Sequence, residues 1–132
     1  MIGVDTNVLL RFLVVDQPEQ NRTATAFFSS RTPDNPAFVS AVTLAETVWL
    51  LTKRLHFPAE SVVDLLRNLL ASEAIVLEHE MELDRILRDG GRPRTDLADY
   101  LIAWSGLSAG CRHTVTFDRQ AAKEVTGMEL LT

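Results

Sequence analysis

The chain has 132 residues, of which 46% are hydrophobic and 23% are charged, a composition typical of one soluble globular domain and not of a disordered chain. No apolar run approaches the roughly 18 residues of a membrane span. Met1 leads directly into an apolar segment without a charged leader, so we expect a cytoplasmic protein without membrane association. The single Cys111 fits a reducing compartment and excludes a zinc cage built from cysteines.

The net charge is −5, from 13 basic and 18 acidic side chains. This balance lacks the overall basic footprint that is usual in nucleic-acid-binding proteins. Nucleic-acid binding is not excluded, however. A cation held by several of the acids would cancel much of their charge, and nearby arginines would then be able to receive phosphates.

Short apolar runs alternate with patterns of helical periodicity along the whole chain. Strands that alternate with helices indicate a single α/β domain over residues 1–132, with a central, mainly parallel sheet and right-handed crossovers. In chain order we predict a strand at 2–5, helices at 6–14 and about 18–30, a turn at 31–36, a strand at 38–40, helices at 42–56 and after Pro58, a strand at 74–77, a helix at 78–89 stopped by Gly90-Gly91, a basic loop at 92–94, a helix at 95–108, a strand at 114–117, a helix at 119–125 and a strand at 128–131.

The two helices around Pro58 read as a helical hairpin with one apolar face each. Trp49 and Trp104 fall at helical spacing, so we expect them in a core or an interface and not as platforms for stacking bases. The predicted apolar faces of the hairpin are Val42, Ala45, Val48, Trp49 and Leu51, then Val62, Leu65, Leu66, Leu69 and Leu70.

Polar residues follow the first predicted strand at once, in the run Asp5-Thr6-Asn7. In open α/β sheets, ligands bind at the carboxyl ends of the strands. Asp and Asn are also favoured caps of helices, so a capping role for Asp5 stays an equal alternative. Asp118 repeats the arrangement, since it closes a predicted strand and precedes a predicted helix.

Three further acids sit near predicted helix starts. Asp96 and Asp99 are three residues apart and therefore share a helix face, close to the positive end of the helix dipole. Acids are common there for that reason alone. Glu46 lies among residues that should face the core, although Thr43-x-x-Glu46 also matches a capping box, in which the acid bonds a backbone N–H.

If these acids met at one edge of a sheet, each close pair of carboxylates would repel by roughly 4 kcal/mol at an effective dielectric of 20. A hard cation would remove that cost, and oxygen-only ligands favour Mg²⁺, with Mn²⁺ as an alternative. Zinc is disfavoured because His56, His79 and His113 show no ligand spacing. The hydroxyls of Thr6, Ser40 and Thr116 lie near strand ends, where capping and water-orienting roles are both open.

Four motifs together resemble the PIN domain, and in particular the VapC-type toxins of bacterial toxin–antitoxin modules. The resemblance covers essentially the whole chain, in order and spacing. One departure is Trp104-Ser105-Gly106, where small alanine-like residues are more usual. The motifs are Asp5-Thr6-Asn7, Ser40-x-x-Thr43-x-x-Glu46, Asp96-x-x-Asp99-x-Leu-Ile-Ala and Thr116-Phe117-Asp118.

The resemblance implies a PIN-like three-layer α/β/α fold, a metal-dependent endoribonuclease, a homodimer and a small antitoxin partner that blocks the acidic site. It implies an acidic quartet of Asp5, Glu46, Asp99 and Asp118. Asp5 and Asp99 would be the principal magnesium ligands, and Asp118 and Asp96 would complete the shell. Thr6 matches the hydroxyl beside the first acid of the family. Near the predicted mouth of the site lie three arginines that would receive flanking phosphates, although each is also explicable as a solvated surface charge: Arg92, Arg94 and Arg119.

Two other functions compete with this interpretation. A magnesium-dependent phosphatase also gathers acids at strand ends, but it needs a well-placed lysine, and neither Lys53 nor Lys123 closes a predicted strand. A PIN-like module that has lost catalysis and only binds protein or RNA is the second. Internal cleavage of RNA, with and without a chelator, would distinguish these functions from a nuclease.

Overall fold

The computed structural model describes residues 1–90 and 96–132. They form two compact units, Met1–Glu80 and Met81–Thr132. Within the described residues, no helix is both long enough and apolar enough to cross a membrane. The predicted basic loop, with Arg92 and Arg94, lies outside the described residues.

The first unit is built on a three-stranded parallel sheet in the order β1-β2-β3. Ile2 pairs with Ala37, and Ala37 pairs in turn with Ile75, so the three strands run side by side in one register. The elements of this unit are β1 (Ile2–Gly3), α1 (Thr6–Leu13), α2 (Pro18–Ser29), β2 (Ala37–Val39), α3 (Ala41–Trp49), a π-helical turn (Leu50–Arg54), α4 (Ala59–Ala71) and β3 (Ile75–Leu77).

The core of this unit consists of the apolar faces that the helices turn towards the sheet. Leu9 of α1 and Val39 of β2 are fully buried, and Leu66 of α4 is nearly so. At about 25 cal/mol per Å² of buried apolar surface, each such side chain contributes roughly 1.5–3 kcal/mol before the entropy cost of ordering it. The predicted periodicity of α4 is confirmed, because Val62, Leu66 and Leu69 are all buried.

The predicted apolar face of α3 is wrong at Val42 and Trp49, whereas Leu51, just after α3, is buried as predicted. Val42 is 79% exposed and Trp49 is 58% exposed, and the exposed Glu46 lies between them at helical spacing. The side that packs inward carries Ala41, Thr43, Leu44 and Thr47. The prediction failed because two threonines occupy buried positions: Thr47 satisfies its hydroxyl by donating to the carbonyl of Thr43 at 2.7 Å, which lets a polar residue replace an apolar one.

The long helix predicted for 42–56 also changes character part-way. α3 ends at Trp49, and Leu50–Arg54 is a π-helical turn closed by the Leu55 N–H, which donates to the carbonyl of Leu50 at 2.9 Å. His56 then adopts a positive φ of 57°, which ends the helical path before α4. The other non-glycine residue with positive φ among the described residues is His79, at 63°, immediately before the helix that begins at Glu80.

Two predicted helix starts shift for local reasons. Asp16 does not cap α2. It bonds the guanidinium of Arg11 at 3.1 Å, while Gln17 occupies the cap position and Pro18 the first helical position as expected. The helix predicted from Glu78 starts at Glu80, because His79 is not helical.

The second unit is smaller and carries a parallel pair of strands. Thr114 pairs with Met128 and Thr116 with Leu130. Trp104 is 8% exposed and packs its ring 5.7 Å from that of Tyr100, so its prediction as a core residue is confirmed. The elements are α5 (Glu80–Gly90), α6 (Leu97–Ser108), β4 (Thr114–Thr116), α7 (Arg119–Glu124) and β5 (Met128–Leu130).

Gly106 explains the departure at Trp104-Ser105-Gly106. A Cβ at this position of α6 would lie 2.6 Å from the Thr114 hydroxyl oxygen of β4. Any larger residue would have to push that side chain aside, so the glycine permits close approach of helix and strand.

Candidate functional site

Asp5 lies at the carboxyl end of β1 and caps α1. Its Oδ1 accepts a hydrogen bond from the Val8 N–H at 2.9 Å. The structure therefore confirms the capping role that the sequence left open. That role occupies one carboxylate oxygen and leaves Oδ2 without a donor among the described residues, so capping and ligand binding are compatible in the same side chain.

A groove of about 630 Å³ lies beside Asp5 in the first unit. Its walls come from β1, α1 and α2, and most of its lining is apolar. Asn7 also lines it, which places two of the three polar residues of the Asp5-Thr6-Asn7 run at its surface. Thr6 is the first residue of α1 and is half-buried.

Ser40 occupies the corresponding place at the end of β2 and caps α3. Its Oγ accepts from the Thr43 N–H at 3.2 Å and donates to the Thr43 hydroxyl at the same distance. The Thr43 hydroxyl donates in turn to the carbonyl of Val4 at 3.4 Å. The start of α3 is thereby linked to the residue before Asp5.

Glu46 does not form the capping box suggested by Thr43-x-x-Glu46. Thr43 lies inside the first turn of α3 and the cap is Ser40, so Glu46 stands in the second turn, with its side chain exposed. The carboxylate is therefore available to solvent and ligands, which the capping alternative would have prevented.

Glu78 follows β3 and was not singled out by the sequence. Its N–H donates to the carbonyl of Val39 at 2.9 Å, and its Oε1 accepts from the Ala41 N–H at 2.6 Å. The signal was present, because Glu78 directly follows an apolar strand as Asp5 does. Glu78 was not recognised because the helix predicted at 78–89 included it.

In the second unit, Asp96 and Asp99 open α6 as predicted. Asp96 is exposed and occupies the cap position, but its side chain makes no capping hydrogen bond. Asp99 lies in the first turn, half-buried, and its N–H donates to the Asp96 carbonyl at 3.0 Å. Asp96, at the cap position, and Asp99, in the first turn, both place negative charge at the positive end of the helix dipole.

Asp118 caps α7, two residues after β4. Its Oδ1 accepts from the N–H groups of Gln120 at 2.9 Å and Ala121 at 3.0 Å. Thr116 accepts from the Asp118 N–H at 3.0 Å, so its hydroxyl fixes the turn that carries the acid. Arg119, the first residue of α7, is exposed.

Within the first unit, the register of the sheet places Asp5, Ser40 and Glu78 one after another along a single edge, each just beyond the last residues of its strand. Within neither unit do three or more acidic, His or Cys side chains of the described residues form a group able to hold a metal ion. The convergence of Asp5, Glu46, Asp99 and Asp118 stays a prediction.

The PIN domain family matches residues 2–126, which is nearly the whole chain and spans both units. The chain belongs to the PIN domain family. PIN domains are generally nucleases, so the match supports a hydrolase that acts on nucleic acid, and it confirms the predicted α/β fold class. No curated protein and no solved structure matches the chain significantly.

PIN domains typically depend on a divalent metal, and the donor atoms of this chain fit such an ion. The predicted metal ligands, Asp5, Asp96, Asp99 and Asp118, offer carboxylate oxygens, which suit Mg²⁺ or Mn²⁺. The single thiol, Cys111, is exposed in the connection after α6 and belongs to none of these motifs.

Proposed function

We propose that this PIN domain is a magnesium-dependent endoribonuclease, the toxin component of a type II toxin–antitoxin module, and that it hydrolyses RNA phosphodiester bonds at an acidic site. The observation that carries the proposal is the family match over residues 2–126 in a chain that keeps all four motif acids. The described structure adds that Asp5, Asp96 and Asp118 each stand at the first residue before a helix, where an acid can face solvent and a ligand.

In this proposal Asp5 and Asp99 hold the principal cation, and Asp118 and Asp96 complete its shell. Asp5 has one oxygen for the cation while the other retains the cap of α1. Asp118 divides its oxygens in the same way, since Oδ1 accepts both backbone bonds of its cap. The helix dipoles favour this placement of charge, and the cation offsets the mutual repulsion of the acids.

When bound, Mg²⁺ lowers the pKa of a coordinated water and neutralises charge that develops on the phosphoryl oxygens. Glu46, exposed on α3, orients the attacking water. Thr6 supplies a hydroxyl beside the first acid. Arg119 receives a flanking phosphate from its place at the start of α7, and Arg92 and Arg94 do so from the segment between α5 and α6.

The partners proposed with this function are single-stranded or looped RNA, a small cognate antitoxin that covers the acidic site, and a second copy of the chain. We place the protein in the cytoplasm. The competing phosphatase function gains no support. Lys53 lies in the π-helical turn and Lys123 in the last turn of α7, both exposed, and neither follows a strand.

The test is cleavage of a single-stranded oligoribonucleotide labelled at one end, with Mg²⁺ and with excess chelator. We expect internal cleavage that stops on chelation, and an Asp5→Asn protein that folds but does not cut, because Asn keeps the capping oxygen and loses the charge. Asp34→Asn is the matched control, since Asp34 is an exposed acid in a turn of the same unit. Parental rates from the Asp5→Asn protein, or release of phosphate alone, would refute the assignment.

A further inference from the structure

The charged side chain of Glu78 makes a long-range contact with the start of α3. Its Oε1 accepts from the Ala41 N–H at 2.6 Å, across 37 positions of sequence. The first N–H groups of a helix have no partner within the helix, and a carboxylate placed there satisfies one of them and interacts favourably with the dipole. Ser40 serves the Thr43 N–H. α3 therefore has two capping side chains, one local and one from the neighbouring strand.

Two hydrogen bonds, one accepted by Glu78 and one donated by the Thr43 hydroxyl, fix the start of α3 to the strands on either side. Through Glu78 the helix is held to the end of β3, and through the Thr43 hydroxyl it is held to the carbonyl of Val4, at 3.4 Å, one residue before Asp5. Glu46 lies on α3 one turn beyond these contacts. Two separate side-chain hydrogen bonds, one to Glu78 and one to Val4, therefore hold the first turn of the helix that carries Glu46.

The backbone just after Glu78 keeps this residue outside the next helix. His79 has φ +63°, a conformation uncommon for residues other than glycine, and its side chain is 8% exposed. The second oxygen of Glu78 lies 3.9 Å from the His79 imidazole Nε2. α5 starts at Glu80, after this left-handed residue, and the Glu78 carboxylate bonds the first turn of α3.

We propose that Glu78 is a positioning residue of the ribonuclease: it holds the first turn of α3 against the sheet and so places Glu46 for its action on the attacking water. This role rests on the proposed function above. It assigns Glu78 no contact with RNA or cation, and it requires an acceptor oxygen at this position but not a charge.

Three variants separate the acceptor from the charge. Glu78→Gln keeps the acceptor, Glu78→Ala removes it, and Glu78→Asp keeps the charge on a shorter side chain that does not reach Ala41. The matched control is Glu73→Ala, which removes an exposed acid from the connection between α4 and β3. If the alanine variant does not fold, the aspartate variant carries the same test.

The first measurement is hydrogen exchange of the Ala41 amide by NMR, which does not depend on activity. We expect Glu78→Ala and Glu78→Asp to lower its protection about tenfold, the loss that follows from removing one such hydrogen bond. Glu78→Gln and Glu73→Ala should keep parental protection. Unchanged protection in the alanine variant would refute the contact.

The second measurement is the rate of RNA cleavage as a function of substrate and Mg²⁺. For Glu78→Ala we expect kcat to fall about tenfold or more, because misplacement of a reacting group is costly, while KM changes less than about threefold. Glu78→Gln should restore kcat with the parental Mg²⁺ requirement. If Glu78→Gln loses as much as Glu78→Ala and needs more Mg²⁺, Glu78 is a ligand and the positioning role is wrong.

A parental kcat in a Glu78→Ala protein whose Ala41 amide has lost protection would also overturn the positioning role. Failure of the ribonuclease function itself gives a different result. The parental protein would then leave RNA intact while its Ala41 amide was still protected, so the contact would stand and the catalytic role assigned to it would fall.

Discussion

Asp118 shows how one side chain can serve structure and chemistry through different atoms. Its Oδ1 accepts two backbone hydrogen bonds at the start of α7, a helix of only six residues. A helix this short has little stability of its own, so its cap matters to the fold. A loss of cleavage on removing Asp118 would therefore be ambiguous unless the two roles were separated.

The pair Asp118→Asn and Asp118→Ala separates them. Asn keeps an acceptor oxygen, so we expect the free energy of unfolding to change by a few tenths of a kcal/mol, whereas Ala should lose about 1 kcal/mol. Both should lose most Mg²⁺-dependent cleavage. Urea denaturation and the cleavage assay measure the two effects. An Asn variant that cuts RNA at the parental rate would leave Asp118 with its capping role alone.

Gly106 is a second residue whose identity has a local physical cause. Ala would gain about 1 kcal/mol in helix propensity, yet its Cβ would lie 2.6 Å from the Thr114 hydroxyl oxygen. Overpacking of this kind costs about 1–3 kcal/mol. We expect Gly106→Ala to destabilise the protein, and Gly106→Ala with Thr114→Ala to be at least as stable as Thr114→Ala alone, measured by urea denaturation. A more stable single variant would show that Thr114 moves aside without cost.

At the scale of the elements, most helices and strands were predictable within a few residues, because Gly, Pro and capping residues mark their ends. The strand at β2 and the helix α4 were predicted, and capping of α1 by Asp5 was one of the two alternatives that the sequence left open. What failed was orientation. The face of α3 depends on two buried threonines whose hydroxyls are satisfied inside the structure, and hydropathy alone assigns threonine to the surface.

The corrected face of α3 gives a sharp comparison between two apolar residues two positions apart. Leu44 is 1% exposed, so Leu44→Ala should cost about 2–5 kcal/mol of unfolding free energy. Val42 is 79% exposed, and Val42→Ala should change it by less than about 0.5 kcal/mol. Chemical denaturation of the two variants decides the matter. Equal losses would contradict the orientation of α3 in which Leu44 is buried and Val42 is exposed.

At the scale of the whole molecule, the sequence motifs predicted the family, which composition, charge and periodicity did not. The family match over residues 2–126 accounts for both units together, whereas composition and charge alone gave no reason to expect a nuclease in a chain of net charge −5. The place of Glu78 after an apolar strand was visible in the sequence, but its contact with Ala41, 37 positions away, was not, because no local pattern encodes such a pairing. Periodicity does not predict long-range contacts between side chains.

The proposed site predicts how the whole molecule should respond to Mg²⁺. A ligand that binds only the folded state stabilises it by about 2.7 kcal/mol at one hundred times its Kd. We expect Mg²⁺ to raise the Tm of the parental protein, and Asp5→Asn and Asp99→Asn each to abolish most of that rise. Calorimetry with and without chelator measures it, and Asp34→Asn serves as the control. A Mg²⁺ effect that survives both substitutions would mean that these acids do not share a cation.

The π-helical turn at Leu50–Arg54 has a consequence for changes in chain length. Its i to i+5 hydrogen bond, from the Leu55 N–H to the Leu50 carbonyl, encloses one residue more than an α-helical turn does. Removing a single residue here would convert the π-helical turn to an α-helical turn without breaking the helix. The same deletion inside α3 would rotate every later side chain of the helix to a different face. Related chains that are one residue shorter are therefore expected to have their gap at this turn.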